Sequence, residues 1–370
     1  MNYKKLMQLN LPNSILKSRK KKFDYKVQLG TPPETLIYTG EREPVEAEIE
    51  AIRYDQESAS RIVTRDVSEV RRTMDEQHIH LIIVNNLTDI NLIEKIGEAF
   101  NIEKLVLEDV LNASHPPKLE QTNGYIHCLL KVLKYSPDEG VSIEHISLLL
   151  GPNFVMVFME FENTVFEPLK QRLLNGNSRT MQKKADYLFY VLIDALLDTY
   201  YVIINELNNN IDDLEVKLLD KPEWNFINET YLIKKYLNEL RPVLYPAGAA
   251  LMALIKGDYP SISEKTITYM RDLKDHIDHV IQMYESSRDA LTGLVELNSS
   301  NINNRLNNSM RILAVITTLF IPMSLITGIY GMNFLFIPEL NWKYGYPLAL
   351  LFIILAGSLM YFIIRRNKLL

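Results

Sequence analysis

Between Ile312 and Ile329 the chain carries no charged residue, and a second uncharged run, Tyr346 to Ile364, follows after the short connector Gly331–Gly345. At ~1.5 Å rise per residue, either run as a helix approaches the ~30 Å hydrocarbon thickness of a bilayer. Only a helix or a closed barrel satisfies its backbone in lipid, so the spacing predicts two membrane-crossing helices joined as a hairpin. Arg305 and Arg311 precede the hairpin, Arg365, Arg366 and Lys368 follow it, and the connector has only Lys343 against Glu339. Positive flanks stay on the cytoplasmic side, which places both termini in the cytoplasm and the connector outside. The first run also holds Thr317, Thr318, Pro322, Ser324, Thr327 and Gly328. Lipid gains nothing from such groups, so another protein surface is expected against one face.

The remaining chain is long enough for about two further domains, and its 370 residues carry a net charge of -6, without the basic surplus a nucleic-acid partner requires. A single cysteine, Cys128, fits a reducing cytoplasm. No apolar leader is visible at the start, and Lys17, Arg19, Lys20, Lys21 and Lys22 read as a solvated basic arm within residues 1–25. Residues 26–181 mix short strands and helices, the pattern of a cytoplasmic α/β domain. Strands are expected at Leu36–Thr39, Val45–Tyr54, His80–Val84 and Gly124–Tyr135, with more between Val141 and Phe158 interrupted at Gly151-Pro152-Asn153. Asp89 caps a helix to Phe100. The region holds neither a phosphate-binding glycine loop nor a convincing nucleophile and base, which excludes the commoner enzyme classes.

Past Lys183 the period becomes helical. Apolar residues recur at three- and four-residue steps from Tyr187 to Leu218, where Lys221-Pro222 stops the helix, and a second helix runs from Asn228 to Ile255 through Pro242 and Pro246. Residues 182–258 thus read as an antiparallel helical pair. Ser261 and Glu264 have capping-box spacing, and the apolar stripe then continues past Leu297 with no proline before Pro322. A stalk helix over residues 261–330, its last part (310–330) being the first span, would be roughly 100 Å long from Glu264. One small domain cannot bury such a rod, so partner rods around a symmetry axis are the economical solution.

One face of that helix presents Glu296, Ser300, Asn303, Asn307, Met310, Leu313, Thr317, Ile321, Ser324 and Gly328. Around an axis, Glu296 and Asn303 would form a cytoplasmic entrance, amide rings such as Asn307 would hydrogen-bond a hydrated cation, and Thr317 and Ser324 would supply hydroxyls. Among the bulky Met310, Leu313 and Ile321, the rings of Met310 and Leu313 could close the path by dewetting. The residues alone equally suit a membrane helix packed through small polar groups. Asp272, Asp275, His276, Asp278 and His279 include two metal-ligand pairs at i, i+4, although such a stretch is more often a solvated face.

Tyr330-Gly331-Met332-Asn333-Phe334 after the first span, Pro338-Glu339-Leu340 in the connector, and a second span with a basic tail resemble the CorA family of magnesium and divalent-cation channels. Leu107-Glu108-Asp109 with Pro117-Lys118, and Lys184-Ala185-Asp186-Tyr187-Leu188, extend the resemblance upstream. The resemblance implies an α+β membrane protein: a homopentameric funnel in the cell (inner) membrane, passing Mg²⁺ and also Co²⁺ and Ni²⁺. Gly331, Met332 and Asn333 would form the selectivity filter in the extracytoplasmic loop (331–345), ahead of the second span (346–364) and the tail (365–370). Asp109 of one subunit and Asp272 of the next would hold a regulatory Mg²⁺, with Glu108 and Asp275 assisting and His276 incidental. At Leu335, where relatives often carry an acid, and at Asn208–Asn210 before Ile211-Asp212-Asp213-Leu214-Glu215, the chain is less acidic than the family pattern, and the latter stretch reads as a solvated helix end. A zinc transporter of the same superfamily and a tail-anchored scaffold or sensor are the alternative readings.

Overall fold

The structure is a computed structural model that describes residues 32, 34–40, 44–122, 124–136, 140–176, 178–220, 226–257, 259–333, 337 and 342–366. The basic arm, Phe334, Leu335 and Pro338–Leu340 lie outside the described residues. The chain divides into two compact units, Met1–Leu219 with Glu223–Leu291, and Asp220–Pro222 with Thr292–Leu370.

The first unit is built on a seven-stranded sheet: β1 Glu48–Tyr54, β2 Ala59–Thr64, β3 Ile79–Asn85, β4 Lys118–Thr122, β5 Tyr125–Ser136, β6 Gly140–Leu150 and β7 Phe154–Met159, in the order β2-β1-β3-β7-β6-β5-β4. Only β3 and β7 pair in parallel; the rest are antiparallel. Between strands lie α1 Val67–Thr73, α2 Ile90–Phe100 and α3 Lys104–Leu111. They cover one face of the sheet, closing a core of Ile49, Ala51, Ile82, Val84, Met156, Phe158 and Leu149 with Ile93, Ile96 and Val110. The Asp89 side chain accepts from Leu92 N at 3.1 Å, the expected start of α2. By register the same face continues across β6, β5 and β4 as His145, Ser147, His127, Lys131, Glu120 and Lys118. The apolar layer therefore turns polar toward the β4 edge.

The segment Leu36–Thr39 is not a strand. Leu36 and Tyr38 pack against the core, and Thr39 N donates to Leu111 O at 3.2 Å, a helix end with no neighbouring strand to extend a ladder. β1 begins at Glu48 rather than Val45, because Val45 N is already engaged by the Thr88 hydroxyl at 2.9 Å.

The opposite face carries α4 Glu167–Leu174 and α5 Ala185–Asp220. Tyr200, fully buried on α5, donates to Lys131 O at 2.9 Å and fixes the helix on β5. α5 is long and apolar enough to cross a membrane, yet 56% of its most apolar window is buried, with Leu192, Leu196 and Ile203 among the core residues. α6 Phe226–Lys256 follows, then α7 Glu264–Tyr330. Pairs Tyr190–Tyr269, Tyr201–His279 and Ser287–Asn208 run α5 and α7 in the same direction, whereas Gly248–Ile281 and Tyr245–Glu285 set α6 against them. Asn208 and Asn210 thus lie inside α5, tied to Ser287 and to Tyr135, rather than at a helix end.

The cap of α7 is Ser263, not Ser261, which sits in the preceding turn. Ser263 Oγ lies 3.0 Å from the Thr266 hydroxyl. Its own N and Oγ donate to Asp186 Oδ2 at 2.9 and 2.7 Å, while Asp186 Oδ1 accepts from Tyr187 N at 2.9 Å. One buried carboxylate therefore serves the N-termini of α5 and α7, where the helix dipoles favour negative charge. Asp186→Ala orphans the Ser263 donors and is expected to cost roughly 3 kcal/mol, with Asp186→Asn losing clearly less. Thermal melting of the full chain in detergent checks the order.

In the second unit, α7 from Thr292 onward and α8 Gly345–Arg366 are the two helices whose apolar windows stay open, at 0% and 11% burial. Val315, Leu319, Pro322, Met323 and Ile326 form the half-buried face of α7, and Gly345, Ala349, Ile353, Ala356, Gly357 and Ile364 the matching seam on α8. The seam uses small residues: a Cβ at Gly357 would collide with Met323 Cε.

Candidate metal centre and membrane helices

Asp109 is positioned by α3, whose apolar side, Val106, Leu107 and Val110, is buried on the sheet. Its carboxylate takes Lys118 Nζ at 2.6 Å and lies 3.4 Å from His115 Nε2. Lys118 also reaches Glu120 Oε1 at 2.9 Å. Asp109, Glu120 and His127 each offer one ligand atom within 4.8 Å of the others. Beneath them His127 Nε2 meets Ser147 Oγ at 2.8 Å, and Lys131 Nζ sits 2.8 Å from Ala113 O and 3.1 Å from His145 Nδ1. Burial pushes the His127 imidazole down to about 4 and the Lys131 ammonium down to about 8. His145 is held well below the usual imidazole range, by burial first and then by Lys131 and His127.

Unfolding lets these imidazoles bind protons that the folded state refuses. Their contribution to stability is therefore full above about 6.5 and falls as pH drops through the window toward about 4, each histidine contributing up to about 1.4 kcal/mol per pH unit. The melting temperature should drop between pH 7 and pH 5, and His145→Gln should flatten the curve.

Asp272 belongs to a second group, on α7. His276 lies between two carboxylates, 3.7 Å from Asp272 Oδ2 and 3.5 Å from Asp194 Oδ1 on α5. His276 thus joins the acidic group, because α5 runs beside α7 and supplies the second acid. Burial, then Asp198, raises the Asp194 carboxyl above the usual range, with Asp272 adding to it and His276 opposing. Tyr190 beside them is pushed up to about 12 by burial and by Asp194. Negative charge in excess of its local compensation is what a bound divalent cation relieves, so these residues suit an oxygen-liganded ion. Asp194 was not singled out from the sequence; its i, i+4 spacing to Asp198 on an apolar helix was the available signal.

Among the described residues no hydrogen bond or ion pair joins Asp109 to Asp272 within one chain. Glu108 accepts from Glu34 N at 3.3 Å, and Asp275 is exposed. His279 stacks on Tyr201 at 6.2 Å instead of pairing with Asp275.

On α7 the row Glu296, Asn303, Asn307, Met310, Leu313, Thr317, Ile321, Ser324 and Gly328 is exposed throughout, away from the α8 seam. Thr317 Oγ1 donates to Leu313 O at 2.8 Å and Thr327 Oγ1 to Ser324 O at 3.0 Å, so these hydroxyl protons are spent on the helix and each oxygen keeps accepting capacity. The helix ends in a tight turn: Gly331 N donates to Thr327 O at 2.9 Å, and a Cβ at Gly331 would lie 3.1 Å from that oxygen. Met332 and Asn333 follow, exposed.

Residues 76–366 match the family model described as CorA-like Mg²⁺ transporter protein. The chain belongs to the CorA-like Mg²⁺ transporter family. It is 37% identical over 322 residues to the cobalt/magnesium transport protein CorA of Thermotoga maritima, covering 87% of this chain and 92% of that one. In fold it resembles the complete CorA magnesium transporter of Methanocaldococcus jannaschii, with a TM-score of 0.73 at 21% identity over 85% of this chain and 97% of that one. The full-length CmaX protein superposes with a TM-score of 0.70 at 18% identity, over 89% and 100% of the two chains. CorA-family proteins are membrane transporters rather than enzymes, and the exposed apolar helices α7 and α8 suit that setting.

Proposed function

We propose that this chain forms a homopentameric channel of the cell (inner) membrane, multi-pass with both termini cytoplasmic, that admits Mg²⁺ and with it Co²⁺ and Ni²⁺. The observation that carries the reading is the continuous α7 with its exposed polar-to-apolar row, ending in the turn that presents Gly331, Met332 and Asn333. Membership of the CorA family and the cobalt and magnesium transport named for the Thermotoga relative support it. Mg²⁺ gives up water reluctantly, so the Asn333 amide serves as a neutral outer contact for a hydrated ion, and Met310 and Leu313 form the dewetting constriction. An inside-negative potential contributes about 4.6 kcal/mol per 100 mV to a divalent cation, which drives influx without ATP. Cytoplasmic Mg²⁺ closes the channel by bridging Asp109 of one subunit to Asp272 of the next, with Asp194, Glu108 and Asp275 at hand. When the ion leaves, like charges repel and the ring loosens.

The test is Mg²⁺ uptake into liposomes holding the purified full chain, with internal Mg²⁺ varied and with or without a pH gradient. Uptake that falls as internal Mg²⁺ rises, indifferent to the pH gradient, is the expected result. Uptake of Zn²⁺ alone that follows the pH gradient would replace this reading with the zinc one.

A further inference from the structure

Asp109 faces a ligand set within its own chain that the gating reading does not use. A carboxylate oxygen of Asp109, one of Glu120 and a ring nitrogen of His127 all lie within 4.8 Å of one another. They come from α3, β4 and β5, and the pairing of Glu120 with His127 across β4 and β5 fixes two of the three by register. His127 is 0% exposed, and its Nε2 is taken up by Ser147 Oγ, yet Nδ1 has no hydrogen-bond partner. His115, 3.4 Å from Asp109 through Nε2, likewise has a buried Nδ1 without a partner. Leaving buried imidazole nitrogens unpaired is costly, and acidic oxygens beside them complete a mixed nitrogen and oxygen donor set.

A cation already occupies this position. The Lys118 ammonium spans the two carboxylates at 2.6 and 2.9 Å, on β4 at the sheet edge, with its side chain 22% exposed. It is tethered by a flexible stem and has a route to solvent, so it can withdraw when a stronger cation arrives.

We infer that Asp109, Glu120 and His127 form an intrachain site for a first-row transition-metal dication, with Lys118 as the resident counter-ion the metal displaces. The imidazole decides the class: Co²⁺, Ni²⁺ and Zn²⁺ accept nitrogen ligands, whereas Mg²⁺ requires an oxygen shell. Because Asp109 also serves the proposed intersubunit Mg²⁺ site, a transition metal bound here takes that carboxylate away from the neighbouring subunit.

The experiment reads binding, so it stands or falls apart from transport. The full chain in detergent, stripped with chelator, is titrated with Co²⁺ while its visible d–d absorption is followed. Wild type should give a saturable band that Zn²⁺ abolishes and excess Mg²⁺ leaves in place. Asp272→Ala should keep the band, His127→Phe should lose it, and Lys118→Met should tighten binding by up to about fivefold, since a partly exposed ion pair no longer opposes the metal. His127→Gln, which keeps a hydrogen-bonding group toward Ser147, serves if the phenylalanine variant melts early. A band that survives in both His127 variants, disappears in Asp272→Ala, yields to Mg²⁺, or never forms even in Lys118→Met overturns the assignment.

Discussion

Asn333→Ala is expected to reduce Mg²⁺ uptake into liposomes to the level of empty ones, with the proposed oligomer eluting unchanged. The residue is exposed directly beyond the Gly331 turn, so its removal disturbs no core. In the proposed pentamer it removes one neutral acceptor per subunit, five in all, at the mouth. At about 1 kcal/mol per hydrogen bond, five such losses amount to more than about a thousandfold in the rate of ion capture. Asn333→Gln, which keeps the amide on a longer stem, recovers part of the flux if the carbonyl is the active group. Undiminished uptake in the alanine variant removes the filter assignment and the channel reading built on it.

Asp272→Ala is expected to free uptake from control by internal Mg²⁺, so that flux at high internal Mg²⁺ equals flux at low. The Asp272 side chain is 57% exposed, and truncating it costs little folding energy. Its loss also lowers the charge around Asp194, which brings that carboxyl back toward its ordinary range. A variant whose uptake is inhibited over the same Mg²⁺ range as wild type shows that closure does not depend on this carboxylate.

The elements legible in the sequence were those with a strong period or a strong cap. α5, α6 and α7 declared themselves by recurring apolar residues, and Asp89 announced α2. β2 escaped notice because Ala59–Thr64 buries no residue fully, and a strand without a buried face shows no alternation to detect. Leu36–Thr39 misled in the opposite sense: Leu36 and Tyr38 are apolar because they pack on the core, in a segment with no strand to pair with. For the sites, the roles of Asp109 and Asp272 came from the family resemblance and the Asp272–His276 pair from its i, i+4 spacing, whereas Glu120, His127 and Asp194 came from neither. Glu120 and His127 lie on separate strands and meet Asp109 only through β pairing and the fold of α3 over the sheet. Asp194 is far from Asp272 in sequence and close only because α5 and α7 run side by side.

The apolar character of α5 bears on how the chain is made. To an insertion machinery reading nascent segments by hydropathy, α5 is a decoy, emerging well before the open apolar stretch of α7. All seven strands precede it in the chain. The surface that hides Leu192, Leu196 and Tyr200 can thus be in place when α5 leaves the ribosome, if the N-terminal unit folds as it is synthesised. The order of elements along the chain acts as a safeguard of topology: damage to the sheet would produce a helix inserted into the wrong phase as well as an unstable domain.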